Sequence, residues 1–360
     1  MNIKKKILTY AVFATGTLVL ILIFIFSQFQ TSKDKPTASP KAKNSKSIVL
    51  DKVLNEMIDY PFLLPSGSDY NFLITRNSGL YRYSITNKFI SELDSLKPLG
   101  IYNIAYSYDG SNAIVQTNYP AGTYKNYLVD FNNNKNNELS SKMRDVVWTK
   151  EGKIIYYYFD EDQKINSLNV ANPDGSNWQK IADLDLYNIS IQLSPDGAKA
   201  ILNSPPEGYG ELYVYLLDIN TKKINQLTNT GYDMNAKWSL DGKKIVYQVL
   251  DSQTFKPAIW QINSDGSNAR NLSIQAFANK VSWINDNNIL VAMDPNLPND
   301  YQLDDTYISN DSFWVYNIET NQYTQLTVEI QLSDTRNLNY DLAKKIFYFT
   351  SSGILYQGKL

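Results

Sequence analysis

Short runs of β-forming residues alternate with polar turn residues along most of this chain. The run KWSLDGKKIVYQ (237–248) shows the plan: an aromatic, a small polar residue, an Asp-Gly turn, then a Lys-led apolar run. The plan recurs in AYSYDGSNAIVQ (105–116), VWTKEGKIIYYY (147–158) and QLSPDGAKAILN (192–203). It recurs more loosely in SWINDNNILVAM (282–293), NLNYDLAKKIFYF (337–349) and LLPSGSDYNFLIT (63–75). The turn positions Gly67, Gly110, Gly152, Gly197, Gly242, Asn287 and Leu342 are 43, 42, 45, 45, 45 and 55 residues apart. Asp-Gly and Asn-containing turns supply the positive φ of a tight hairpin, so the flanking runs pair antiparallel. A second hairpin follows in most copies, as in NVANPDGSNWQKI (169–181) and QINSDGSNARNLS (261–273). Each unit therefore predicts four short strands in about 42–45 residues, the period of a β-propeller blade.

The last copy offers only three strands, in RNLNYD, KIFYF and GILYQGKL, whereas SIVLDKV (47–53) precedes the first copy without a role. That segment is expected to close the ring as the missing fourth strand. The predicted fold is all-β, a propeller of seven blades, or of six if residues 47–70 do not begin a blade.

The N-terminus breaks the pattern. MNIKKK is followed by ILTYAVFATGTLVLILIFIF (7–26), an uncharged and mostly apolar run. Twenty helical residues at 1.5 Å each span about 30 Å, the thickness of a bilayer core. A cleaved signal peptide is the alternative, but its apolar region would be long and no small-x-small site follows promptly. The expected organisation is a cytoplasmic tail (1–6), a transmembrane helix (7–26), a flexible linker (27–46) and the propeller (47–360). Lys4, Lys5 and Lys6 place the N-terminus inside, and the propeller outside, the cytoplasm. The Ser-, Lys- and Pro-rich linker reaches roughly 70 Å at about 3.5 Å per residue.

Composition removes much chemistry. The chain has no Cys and no His. Disulfides, Cys/His zinc sites and Ser-His-Asp or Cys-His nucleophile systems are excluded. Tyr is used 27 times, more than Phe and Trp together, which suits sheet surfaces. Residues 1–46 hold eight Lys and one Asp, so 26 basic and 35 acidic residues remain beyond them, a net charge near −9. Nucleic acid is a poor partner for such a surface.

Trp/Leu-Ser-Pro/Leu-Asp-Gly-x-x-Ile followed by DGSN…L resembles the TolB-type, WD-like propeller repeat over most of residues 60–360. It departs from the true WD repeat, having neither Gly-His nor Trp-Asp, and from the sialidase Asp-box. The resemblance implies protein partners in the cell envelope and a binding or scaffold role. The rival is a propeller hydrolase acting on carbohydrate or peptide through carboxylates at the central mouth. No G-x-S-x-G or phosphate loop is present.

In a four-stranded blade the loops after the second strand share one face with the loops between blades. These vary in length here, and variable loops on a rigid scaffold carry binding. They bring Tyr119, Tyr124, Tyr209, Tyr301 and Tyr307 to one rim with Asp160, Glu161, Asp162, Glu207, Asp294, Asp300, Asp304 and Asp305. The expectation is an acidic, tyrosine-bearing binding face, against the alternative of merely solvated loops. Asp300, Asp304 and Asp305 lack EF-hand spacing, so neither metal nor other cofactor is expected. Trp148, Trp238 and Trp283 share one repeat position and are expected to pack between blades.

Overall fold

The computed structural model describes residues 44–64, 72–77, 79–93, 97–203, 211–228, 231–232, 235–251, 254–299 and 307–360. The apolar run 7–26 lies outside them. Among the described residues the strands form seven sheets, each built on four antiparallel strands, and the one helical element is a 3-10 turn, Ala278–Lys280. Blade 1 spans Asp59–Glu92, blade 2 Ile101–Leu139, blade 3 Met143–Asp183 and blade 4 Ser190–Gln226. Blade 5 spans Gly231–Ile274, blade 6 Val281–Thr327 and blade 7 Thr335–Lys359. The first strands of blades 2 and 3, of blades 3 and 4, and of blades 6 and 7 touch. The expected seven-bladed propeller is the observed fold.

The ring closes as the three-stranded last repeat requires. Leu50–Met57 pairs antiparallel with Ile354–Lys359, with Leu50 opposite Gly358 and Lys52 opposite Tyr356. One difference concerns the linker. Asn44–Ser47 pairs parallel with the outer strand of blade 6, Asn44 opposite Thr324 and Ser47 opposite Thr327. Residues 44–46 are thus strand and not linker, because that outer edge offers unpaired N–H and C=O groups to the passing chain. Ile48 follows and is buried between blades 6 and 7.

The core is divided among the seven interfaces between blades. Leu73, Leu80, Ile104 and Val115 join blades 1 and 2, and Ile114, Trp148 and Tyr156 join blades 2 and 3. Phe313, Phe347 and Phe349 join blades 6 and 7, while Phe72, Ile74, Tyr348 and Leu355 join blade 7 to blade 1. Each fully buried side chain of this size stabilises the fold by about 1.5–3 kcal/mol. The repeated Trp acts across these interfaces. Trp148 Nε1 donates to Ala105 O of blade 2 at 2.8 Å, and Trp238 Nε1 to Gln192 O of blade 4 at 3.1 Å. Trp283 is buried in the same way, without a partner for its Nε1 among the described residues.

The Ser-x-Asp-Gly motif is a self-contained turn. Ser194 Oγ donates to Asp196 Oδ1 at 2.6 Å, and that oxygen accepts the Ala198 N–H at 3.0 Å. Ser107–Asp109 and Ser239–Asp241 repeat the first contact at 2.7 Å. Gly110, Gly197 and Gly242 take φ of +69°, +71° and +71°, which L side chains resist. These turns use their Ser and Asp internally, so the motif is structural.

Candidate functional site

One cavity of about 860 Å³ is lined by the first strands of blades 1, 2, 3 and 4 together. The first strands of blades 1 and 4 are not neighbours in a ring of seven, so a cavity touching all four lies at the centre. Its walls carry seven aromatic side chains: Phe62, Tyr102, Tyr106, Tyr108, Tyr124, Trp148 and Tyr157. Among the described lining residues Asp145 is the one carboxyl and Arg144 the one cation.

A chain of hydrogen bonds crosses three blades to reach Asp145. Asn126, on the third strand of blade 2, accepts from Gln116 Nε2 at 2.8 Å. Gln116 Oε1 accepts from Asn103 Nδ2 at 2.9 Å, and the same amide donates to Asp145 Oδ1 at 3.1 Å. The Ile191 N–H of blade 4 donates to Asp145 Oδ2 at 2.6 Å. Gln116 and Asn126 are fully buried, so this network holds Asn103 and Asp145 in one arrangement. Burial pushes the Asp145 carboxyl up to about 7, against the lowering effect of the Ile191 and Val146 N–H groups.

Arg144, one residue earlier, turns away from this carboxyl. Its guanidinium lies 4.1 Å from the ring centre of Tyr124, and it donates to Ser141 O. Tyr102 meets Tyr124 edge to face at 5.9 Å and donates its hydroxyl to Arg144 O at 3.2 Å. Burial raises the Tyr102 hydroxyl above its ordinary range, so it stays a neutral donor. Tyr157, pushed up to about 12 by burial, forms the wall toward Asn188.

The residues expected on the rim separate. Tyr124 belongs to the cavity. Tyr119 is 56% exposed at the tip of its loop. Asp160 is not part of a solvated acidic face, being 4% exposed. Lys142 Nζ bonds it at 3.0 Å and reaches the exposed Asp162 at 3.4 Å. The ammonium holds the Asp160 carboxyl below its usual value. Asp294 also points inward, where Oδ2 accepts Tyr307 Oη at 2.5 Å and the Asn310 N–H at 2.7 Å, so it anchors its loop. Glu207, Tyr209, Asp300, Tyr301, Asp304 and Asp305 lie outside the described residues. No group of three or more acidic side chains placed to hold a metal occurs among the described residues.

Asn103, Asp145 and Ser190 were missed by the sequence reading, yet they carry a signal. Each stands three residues before the repeat's aromatic or Leu position, at Tyr106, Trp148 and Leu193. Strand alternation turns that register toward the following blade, where Asn103 meets Asp145 and Asp145 meets the Ile191 N–H.

Comparison with protein-family models finds no match, and comparison with curated protein sequences finds none. Among solved structures 1157 chains match, so the architecture is common and says little about ligand. Tricorn protease matches with a TM-score of 0.59 at 10% identity, over 88% of this chain and 34% of that one. This chain thus spans about a third of that protein's length. The β-propeller domain of Myceliophteria thermophila Cps50 (Swd1) matches at 0.56 and 8% identity, over 86% and 99%. Oligogalacturonate lyase in complex with manganese matches at 0.50 and 13% identity, over 85% and 78%. A putative TolB from Agrobacterium tumefaciens matches at 0.46 and 16% identity, over 63% and 88%. At these identities the likeness is one of fold.

Proposed function

We propose that this chain is a membrane-anchored binding module whose propeller stands outside the cytoplasm and seats its ligand in the central cavity. Residues 7–26 serve as the anchor, and the ligand is presented by a protein partner of the cell envelope. The observation that carries this reading is the cavity itself. Its volume suits a ligand site, and its aromatic walls and few fixed polar groups have the composition such sites use. The hydrogen bonds running from Asn126 to Ile191 pre-organise those groups before any ligand arrives. A hydrolase using two carboxylates would need a second acid beside Asp145, and the described lining offers none.

The test is affinity capture with the full-length protein, immobilised in detergent, against solubilised envelope proteins. Ala105→Trp enlarges a residue of the cavity wall, its folding checked by circular dichroism and thermal melting, and Tyr119→Ala trims the exposed loop. A partner held by the native chain and by Tyr119→Ala, but lost from Ala105→Trp, supports the cavity. A partner retained equally by all three overturns it. Protease added to sealed membrane vesicles of known orientation tests the topology: a propeller protected on the external side defeats the proposed orientation.

A further inference from the structure

We propose that the central cavity receives a primary ammonium group, the lysine side chain of a protein or peptide partner, with Asp145 as its counter-ion. The proposal rests on the reading of the cavity as the ligand site and names the class of ligand.

Asp145 lacks a charged partner. Both oxygens are engaged by neutral donors, Asn103 Nδ2 at 3.1 Å and the Ile191 N–H at 2.6 Å. None of the ion pairs among the described residues includes it. The adjacent cation, Arg144, is stacked on Tyr124 and bonded to backbone carbonyl groups. A half-buried carboxyl held only by neutral donors and without a cation is costly to ionise, and desolvation accordingly pushes it up to about 7. A ligand that brings a positive charge supplies what the fold withholds.

The surroundings select the form of that charge. The exposed rings of Tyr102 and Tyr108 line the cavity, and aromatic ring faces attract an organic cation. Ile104, Val147 and Ile191 offer apolar surface for a methylene stem. A hard metal ion needs six or more oxygens, against one carboxylate here. An ammonium needs three acceptors, which the second lone pairs of Asp145 and neighbouring amide oxygens can supply. The net charge near −9 beyond residue 46 favours a basic partner before contact.

The experiment titrates full-length protein in detergent at pH 8 with two blocked peptides, acetyl-Gly-Lys-Gly-amide and its Nε-acetyl counterpart. Binding is followed by the intrinsic fluorescence of the cavity aromatics. The amine peptide is expected to bind at least tenfold more tightly than the acetylated one. Asp145→Asn is expected to remove that difference while leaving the weak binding of the acetylated peptide. Equal binding of the two peptides overturns the proposal, as does a ratio unchanged in Asp145→Asn. Should that variant not fold, the wild-type ratio alone decides. Binding of neither peptide also overturns the ligand class. In each case capture by the native chain against Ala105→Trp still judges the cavity separately.

Discussion

The ammonium of Lys280 lies 2.8 Å from both oxygens of Asp311, in a site where neither side chain retains appreciable exposure. Lys280 closes the 3-10 turn that leads into blade 6. Asp311 Oδ2 also accepts the Thr335 N–H at 2.8 Å, where blade 7 begins. The pair bolts the two blades together. Removing one partner strands a buried charge, which costs about 3–5 kcal/mol. Asp311→Ala and Lys280→Met are each expected to lower stability by that amount, read from denaturant midpoints. The double variant Lys280→Met/Asp311→Ala is expected to lose less than the sum of the two single ones. Additive losses would show that the ion pair is not the source.

Asp145 gives stability an unusual dependence on pH. Its folded value of about 7 exceeds the ordinary carboxylate value near 4. Between those limits the native state holds a proton that the unfolded chain has released, so stability falls as pH rises from about 4 to 7. Asp109 and Asp196, held low mainly by hydrogen bonds from Ser107 and Ser194, act oppositely and only below about pH 4. Urea midpoints at pH 5, 6, 7 and 8 should therefore decline in the native chain. The decline should flatten in Asp145→Asn. A slope kept in that variant assigns the titration elsewhere.

Closure of the ring by the N-terminal strand predicts an asymmetric response to truncation. A chain starting at residue 44 should melt at the temperature of the full chain. Deleting 44–57 uncovers the edge of Ile354–Lys359 and removes Ile48 from the core. That deletion should abolish cooperative thermal unfolding or promote aggregation through the bared edge. A melting temperature within a few degrees of the full chain's would show that the ring does not depend on this strand.

Two glycines of the same repeat position should differ in cost. Gly197 and Gly110 both have positive φ, so alanine at either costs about 1–2 kcal/mol. A Cβ at Gly197 meets no atom within 4 Å, whereas one at Gly110 overlaps the buried Leu64 side chain. Forcing that side chain aside adds about 1–3 kcal/mol. Gly110→Ala should be the less stable by chemical denaturation, and Gly110→Ala/Leu64→Ala should cost less than the sum of its single changes. Equal losses at the two glycines would remove Leu64 from the account.

The blade count and the closing strand were legible in the chain because their causes are local. Asp-Gly turns, alternating runs and a fixed spacing act within 45 residues, and a repeat one strand short points to its partner. The shared position of Trp148 and Trp238 likewise told of packing between blades. The site was not legible in the same way. Asn103, Asp145 and Ser190 look like ordinary polar strand residues, and Asp160 and Asp294 like ordinary loop acids. Only the closed ring brings strands 42–46 residues apart into contact around Asp145, surrounds it with neutral donors and turns Arg144 aside. Turn chemistry and strand alternation are written residue by residue. Burial and the pairing of charges depend on which distant strands come to share a cavity, and that was decided by the tertiary structure.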